Sequence, residues 1–455
     1  MKKTLLAACA SIFAFAAFAV PKLPKDYYWA KLDNGLEVVV IENHRVPLAT
    51  IEIAVKNGAY TEGPEYSGLS HLFEHMFFKA NRDYPDQEQF LKRTQELGAI
   101  WNGTTGNERV NYFFTFNKDS LQPGLQFMNA AIRFPIYKKE DMEKERPVVD
   151  GEFQRNESDP GTQLYFAVGK KLWGDLYTRK NPIGEHEIIN TATPEKMMII
   201  KNKYYHPNNS LLIICGDVDH ASVMQQVQSV FGSWANSGFD PHEKYPIPEF
   251  KPLTKTDYFI QESSISQTPQ MQYEWQGPDT RNDSAATIAA DVFSYILFLN
   301  SSKWQQALVD KGLATSVYFG YQTLKYTGSI AAYVTPNPKK VKECHAEVLK
   351  QINMFADDDY FTDEQLANAV ESMKRSKIRQ EEKPSSLPMQ LSYWWCSASI
   401  DYYTNYLDAC SKVTRADIQQ YIRKYVIGKP YVAGMILNAD ANKTIQPATF
   451  FKSNN

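Results

Sequence analysis

Beyond its first twenty residues, the 455-residue sequence has no apolar run long enough to cross a bilayer and no excess of either charge. Its 49 Lys and Arg against 52 Asp and Glu leave a formal charge of −3, so it carries no electrostatic footprint for a nucleic acid or an anionic membrane surface. Cysteine is scarce, five in all, and no two form a Cys-x-x-Cys pair, which removes thiolate zinc sites and dithiol redox motifs. After Cys9 come Cys215, Cys344, Cys396 and Cys410. An exported chain could pair Cys396 with Cys410, but buried free thiols are the expectation, above all for Cys215 beside the apolar run 211–214. No G-x-G-x-x-G or G-x-x-x-x-G-K-[ST] stands at a strand-to-helix junction, so no phosphate cradle is read. Glycine and proline, 22 and 24, are too thinly spread for collagen or low complexity, while 43% hydrophobic residues suffice for one large domain or two ordinary ones.

The start of the chain reads as an export signal. Lys2 and Lys3 precede an apolar stretch from Leu5 to Phe18, and Ala17-Phe18-Ala19 spells a small-residue cleavage site. Residues 1–19 are therefore expected to be a signal peptide, leaving an exported, periplasmic or secreted chain with no integral membrane segment. Leu6-Ala7-Ala8-Cys9 resembles a lipoprotein acylation site, but too few apolar residues precede Cys9 for that reading to be preferred.

The remainder repeats at an offset of 221 residues. Thr193 opens a helical pattern closed by Lys203-Tyr204, and Thr414 opens another closed by Lys424-Tyr425. A proline-bearing break and a strand-like run follow each, 210–215 and 431–437. The proline-rich stretch 240–256 then reads as a linker between halves 20–239 and 257–455. Strands are expected over 36–41, 49–55 and 110–116, and helices over 68–79 and 86–97. Thr362 with Gln365 reads as a capping-box start for a helix to about Ser372. Adjacent strands with helices collected between them indicate α+β layers rather than a doubly wound parallel sheet.

One helix carries the chemistry. From Ser67, read as its N-cap, Leu69, Leu72, Phe73, Met76 and Phe77 recur at the spacing of a buried stripe, and His71, Glu74 and His75 share the opposite side. Two imidazoles one turn apart can hold one Zn2+, with Glu74 within reach of a water beside it. A catalytic zinc takes a third protein ligand, for which Glu152 is a candidate. Glu145 lies two helical turns before it, but Glu143 and Glu157 leave open a solvated acidic face.

The pattern His71-x-x-Glu74-His75 followed after 76 residues by Glu152 resembles the inverted-motif zinc peptidase family of pitrilysin, insulin-degrading enzyme and mitochondrial processing peptidase. Weaker matches extend it: Asn57-Gly-Ala, Gly98 to Thr105, Asn181-Pro-Ile-Gly184, Tyr205-His-Pro-Asn-Asn209 and Gly312 to Val317. The resemblance implies that His71, His75 and Glu152 bind one Zn2+, that Glu74 is the general base, and that Glu145 is a further active-site glutamate. It assigns Ala99, Asn102 and Thr104 to a strand that pairs with substrate. It also implies an α+β fold of two homologous domains, each a mostly antiparallel mixed sheet packed against helices as a half-shell. The zinc motif then lies in 20–239, and 257–455 lacks it.

Gly151 stands where the family often has an acidic residue, and Pro147 falls inside the ligand-bearing helix. Val309 and Thr315 occupy positions where active members carry Arg and Tyr. The implied function is an exported zinc metalloendopeptidase hydrolysing unfolded peptides with a homologous partner subunit that supplies the Arg/Tyr pair. A homodimer is the alternative assembly. A catalytically weak or inactive structural subunit is the alternative function, and a zinc-dependent binding protein a third reading. The remaining histidines, His44, His186, His206, His220, His242 and His345, sit in loops or next to Pro and Asp without ligand spacing and read as structural. The run 357–359 reads as a solvated loop rather than a calcium site.

Overall fold

The computed structural model describes Pro21 and residues 23–381, 386–445 and 450–451; the segment read as an export signal, with Cys9, lies outside them. The described chain forms two mixed sheets. The first contains β1 (Tyr27–Lys31), β2 (Glu37–Glu42), β3 (Leu48–Val55), β4 (Ile100–Thr105), β5 (Val110–Asn117) and β6 (Ser210–Gly216), in the order β1-β2-β6-β3-β5-β4. The second contains β7 (Asp257–Glu262), β8 (Gln270–Gln276), β9 (Ala314–Tyr321), β10 (Ser329–Pro336) and β11 (Val432–Leu437), in the order β7-β11-β8-β10-β9. Each sheet has a single parallel pairing, β2 with β6 and β7 with β11, and is otherwise antiparallel. The expected α+β class with two mostly antiparallel mixed sheets is what the chain adopts.

The 221-residue offset has a structural counterpart. Helices Pro194–Tyr204 and Arg415–Tyr425 are capped by the Thr193 and Thr414 side chains, and lead into β6 and β11. These are the strands that insert second from the parallel edge of the common five-strand order. Every residue of β6 and β11 is buried, which is why both read as unbroken apolar runs rather than alternating ones.

Each sheet packs one face against helices of its own half. Of those helices, α1 (Leu69–Phe77), α2 (Gln87–Glu96), α3 (Leu121–Arg133) and α4 (Lys139–Glu157) lie in the first half. The opposite faces are covered reciprocally. Val39, Ile41, Leu211 and Ile213 of the first sheet pack on Leu387, Leu391 and Trp395 of the helix Ser386–Ser397. Val432 and Ile436 of the second sheet pack on Leu164, Val168 and Leu172 of the helix Pro160–Trp173.

Several local expectations change. The Thr362–Gln365 capping box forms, but its helix runs Asp363–Glu381, well past Ser372, because Lys374, Arg375, Lys377 and Arg379 are good helix formers that propagate it after the apolar stripe ends. His186 and His345 sit on helices rather than in loops, and His220, next to Asp219, is the first residue of a helix. Cys215, Cys344, Cys396 and Cys410 are buried and unpaired, and burial pushes each thiol up to about 12. The stretch 240–256 includes a short helix, Pro241–Lys244, and places Phe250 and Leu253 against the cluster under the second sheet. No single helix among the described residues is long and apolar enough to cross a membrane.

Candidate metal centre

The α1 stripe is fully buried, with Leu69, Leu72, Phe73, Met76 and Phe77 all at 1% exposure or less. The N-cap is Gly68, not Ser67 as the sequence indicated. Gly68 adopts φ 88°, and a Cβ there would meet the Ile183 carbonyl at 2.5 Å, so the chain turns into α1 in a conformation only glycine fits. Capping comes instead from buried Glu62, whose carboxylate accepts the Gly68 and Ser70 N–H groups at 2.7 and 2.6 Å. Burial nevertheless pushes Glu62 up to about 7.

His71 and His75 project from α1 towards α4. Their Nε2 atoms lie 3.2 Å apart, and Glu152 Oε2 is 3.4 Å from His71 Nε2 and 3.9 Å from His75 Nε2. Ligands spaced tetrahedrally around a zinc ion at ~2.1 Å would be roughly 3.4 Å apart, so this half-buried triangle fits one Zn2+. Burial and the neighbouring His75 push His71 down to about 3, which keeps it in the neutral, ligand-competent form. His75 is raised: burial opposes its charge, but the Glu145 hydrogen bond and the Glu74, Glu152 and Glu145 charges outweigh it.

Glu145 accepts from His75 Nδ1 at 2.8 Å and pairs with Lys79. Burial works against its ionised form, but the His75 and Lys79 interactions hold its carboxyl below the usual range. A carboxylate on Nδ1 fixes the tautomer that leaves Nε2 facing the triangle. Pro147 does not interrupt α4, which keeps Glu145 and Glu152 on one face, and Gly151 has open space around it.

Glu74 is buried at 9% exposure, and burial raises its pKa, with a Thr105 hydroxyl donating to Oε2 at 2.7 Å. Thr105 belongs to β4, the outermost strand beside β5, and β4 crosses directly over Glu74: a Cβ on Gly103 would lie 2.7 Å from Glu74 Cγ. Asn102 and Thr104 line the same cleft of about 450 Å³, together with Trp101, Lys79 and the triangle. Ala99 is not among its lining; it precedes β4 and donates its N–H to Thr94 at the end of α2. Thr104 turns its hydroxyl to Asn111. Thr105, Lys79 and Glu62 were not singled out in the sequence. Alternation along β4 carries the signal for Thr105 once Gly103 is known to face Glu74.

In the second half, Val309 is partly buried against the core, and Thr315 is exposed on β9 with its hydroxyl on the Thr335 carbonyl. A second His–carboxylate group, Glu42, Asp219 and His220, has a local explanation. Asp219 caps the helix His220–Phe231, and Glu42 accepts both the His220 N–H and its Nδ1 at 2.8 Å. A helix N-terminus is a poor place for a cation.

Two mixed sheets carrying a His–His–Glu triangle with a buried glutamate beside it define a candidate zinc-peptidase framework. Residues 37–177 match the family model "Insulinase (Peptidase family M16)", and residues 191–373 match "Peptidase M16 inactive domain". The chain belongs to this M16 family. Among curated relatives, "Zinc protease PqqE" of Helicobacter pylori is 24% identical, with 77% of this chain and 75% of that protein covered. The "Uncharacterized zinc protease YmxG" of Bacillus subtilis is 22% identical, at 78% and 84% coverage. Two Rickettsia zinc proteases are 25% and 23% identical, but the chain spans only about half of their lengths, 51% and 54%. A solved Helicobacter pylori protease shares the fold at TM-score 0.80 and 20% identity, covering 92% of this chain and 100% of that one. The periplasmic protease PqqL of Escherichia coli shares it at TM-score 0.75 and 15% identity, covering 95% of this chain and 50% of that one.

Proposed function

We propose that the chain is an exported zinc-dependent metalloendopeptidase acting on unfolded peptides, with His71, His75 and Glu152 as metal ligands and Glu74 as general base. The observation that carries this reading is the donor triangle with buried Glu74 beside it. When bound, zinc supplies polarisation of the scissile carbonyl and acidification of the attacking water. Glu74, with its affinity for a proton raised by burial, takes the water's proton and returns it to the leaving amine. Glu145, whose carboxyl is held low by its hydrogen bonds to His75 and Lys79, keeps His75 oriented. An extended substrate adds to the outer edge of β4 through main-chain hydrogen bonds, with Asn102 and Thr104 alongside, which gives loose sequence preference. The residues divide as a signal peptide (1–19), a zinc-binding peptidase domain (20–239), a linker (240–256) and a homologous domain without the motif (257–455). Export to the periplasm accords with the leader and with the compartment of PqqL.

A second reading, a weak or inactive structural subunit, is favoured by Val309 and Thr315, neither of which can stabilise an oxyanion as Arg and Tyr would. A homologous partner carrying that pair reconciles the two readings; a second copy of this chain would not supply it. The deciding experiment is Glu74→Gln, assayed for zinc by elemental analysis and for cleavage of a quenched unstructured peptide, with and without a homologous subunit bearing the Arg/Tyr pair. The variant is expected to keep about one zinc per chain and to lose at least ~100-fold in rate. Wild-type protein that holds zinc but cleaves nothing in either setting would sink the peptidase reading.

A further inference from the structure

The hairpin that carries the candidate substrate strand is anchored on the second half of the chain. Between β4 and β5, buried Glu108 accepts the Lys325 and Tyr326 N–H groups at 2.7 and 2.8 Å. Lys180, also from the first half, donates to the Tyr326 and Thr327 carbonyls at 2.9 and 2.7 Å, so the two side chains grip one turn from both sides. Arg109 beside Glu108 forks the other way. Its guanidinium donates to the Met389 carbonyl and to Ser392 Oγ at 2.9 Å, both on the helix Ser386–Ser397, and to Thr104 Oγ1 on β4 at 3.0 Å. The next residue, Thr105, donates to Glu74. A continuous path of polar contacts and one peptide unit therefore joins the second half to the candidate general base.

We infer that Arg109 is a positioning residue: by tying β4 to the helix Ser386–Ser397, it sets the edge on which a peptide lies and the strand that packs over Glu74. A planar fork reaching two elements at once does this where a lysine, with one point charge, cannot. Edge strands are otherwise the loosest part of a sheet, and a substrate that must pair with one is penalised if it has to order it first. The second half contributes to substrate binding through this contact although it lacks the zinc motif. The inference rests on the peptidase reading only for its consequence in turnover; the anchoring of β4 is tested separately.

The test compares wild type with Arg109→Met, Arg109→Lys and Ser392→Ala by hydrogen–deuterium exchange and by peptide kinetics. Exchange over residues 100–105 is expected to speed up about tenfold or more in Arg109→Met, and less in the other two, with α1 unchanged. For a quenched decapeptide, KM should rise about tenfold in Arg109→Met with a smaller change in kcat, while zinc content stays at the wild-type value. Unchanged β4 exchange in both Arg109→Met and Ser392→Ala overturns the inference, as does acceleration that is uniform across the molecule. If Arg109→Met does not fold, Ser392→Ala and Arg109→Lys decide by the same readout. Loosened β4 in a protein whose wild type cleaves nothing, with or without a homologous subunit bearing the Arg/Tyr pair, would leave the anchoring standing and remove the peptidase reading.

Discussion

His345 is fully buried and shares a 2.7 Å hydrogen bond with the Tyr273 hydroxyl, while burial pushes its pKa down to about 4. The folded chain therefore keeps this imidazole neutral where an unfolded one takes up a proton near its ordinary value of 6.5. Its contribution to stability is complete above pH 6.5 and is lost as pH falls towards 4, at up to ~1.4 kcal/mol per pH unit. Denaturant midpoints of wild type and His345→Gln, measured from pH 7 to pH 4, should show a steeper acid loss for the wild type; parallel slopes would contradict a neutral buried His345. Burial of this kind was not legible in the sequence. His345 has no ligand spacing in the sequence, and it lies on the helix Val341–Met354, whose charged Lys342 and Glu343 are exposed while His345 is buried. His71 and His75 were legible as candidate ligands because metal ligation would impose a spacing, whereas burial imposes none on a single residue.

At the scale of elements, α1 and β4 are placed by small residues. Two of the weaker sequence matches surround the start of α1: Asn57 donates to Ser70, and Gly184 lies where a Cβ on Gly68 would fall. Gly103 lets β4 approach Glu74 closer than any other residue would allow. Gly103→Ala should drive the Glu74 side chain or the strand aside and lower kcat/KM by about tenfold or more, with bound zinc and melting temperature little altered. Unaltered kinetics in that variant would show that Glu74 and β4 are free to adjust. The helix identity and the side that carries the candidate ligands were legible from periodicity. Its true cap was not, because Glu62 lies six residues upstream of Gly68, outside the local pattern by which caps are recognised.

The whole molecule is interlocked, since each half supplies a helix to the outer face of the other's sheet. Calorimetry should accordingly show one unfolding transition. Trp395→Ala, on a helix of the second half, removes an indole seated against the first sheet and is expected to cost about 3–5 kcal/mol while lowering that single transition. Two transitions, only one of them shifted, would show that the halves are energetically separate. The sequence by itself determined the α+β class, the duplicated layout and the residues with zinc-peptidase spacing, because periodicity, turn chemistry and ligand geometry are written locally. Tertiary structure alone decided that Glu152 stands beside His71 and His75, that Glu62 caps the motif helix, and that Arg109 ties the edge strand to the far half. Each of those depends on groups brought together across long stretches of chain, where packing and desolvation choose the partner.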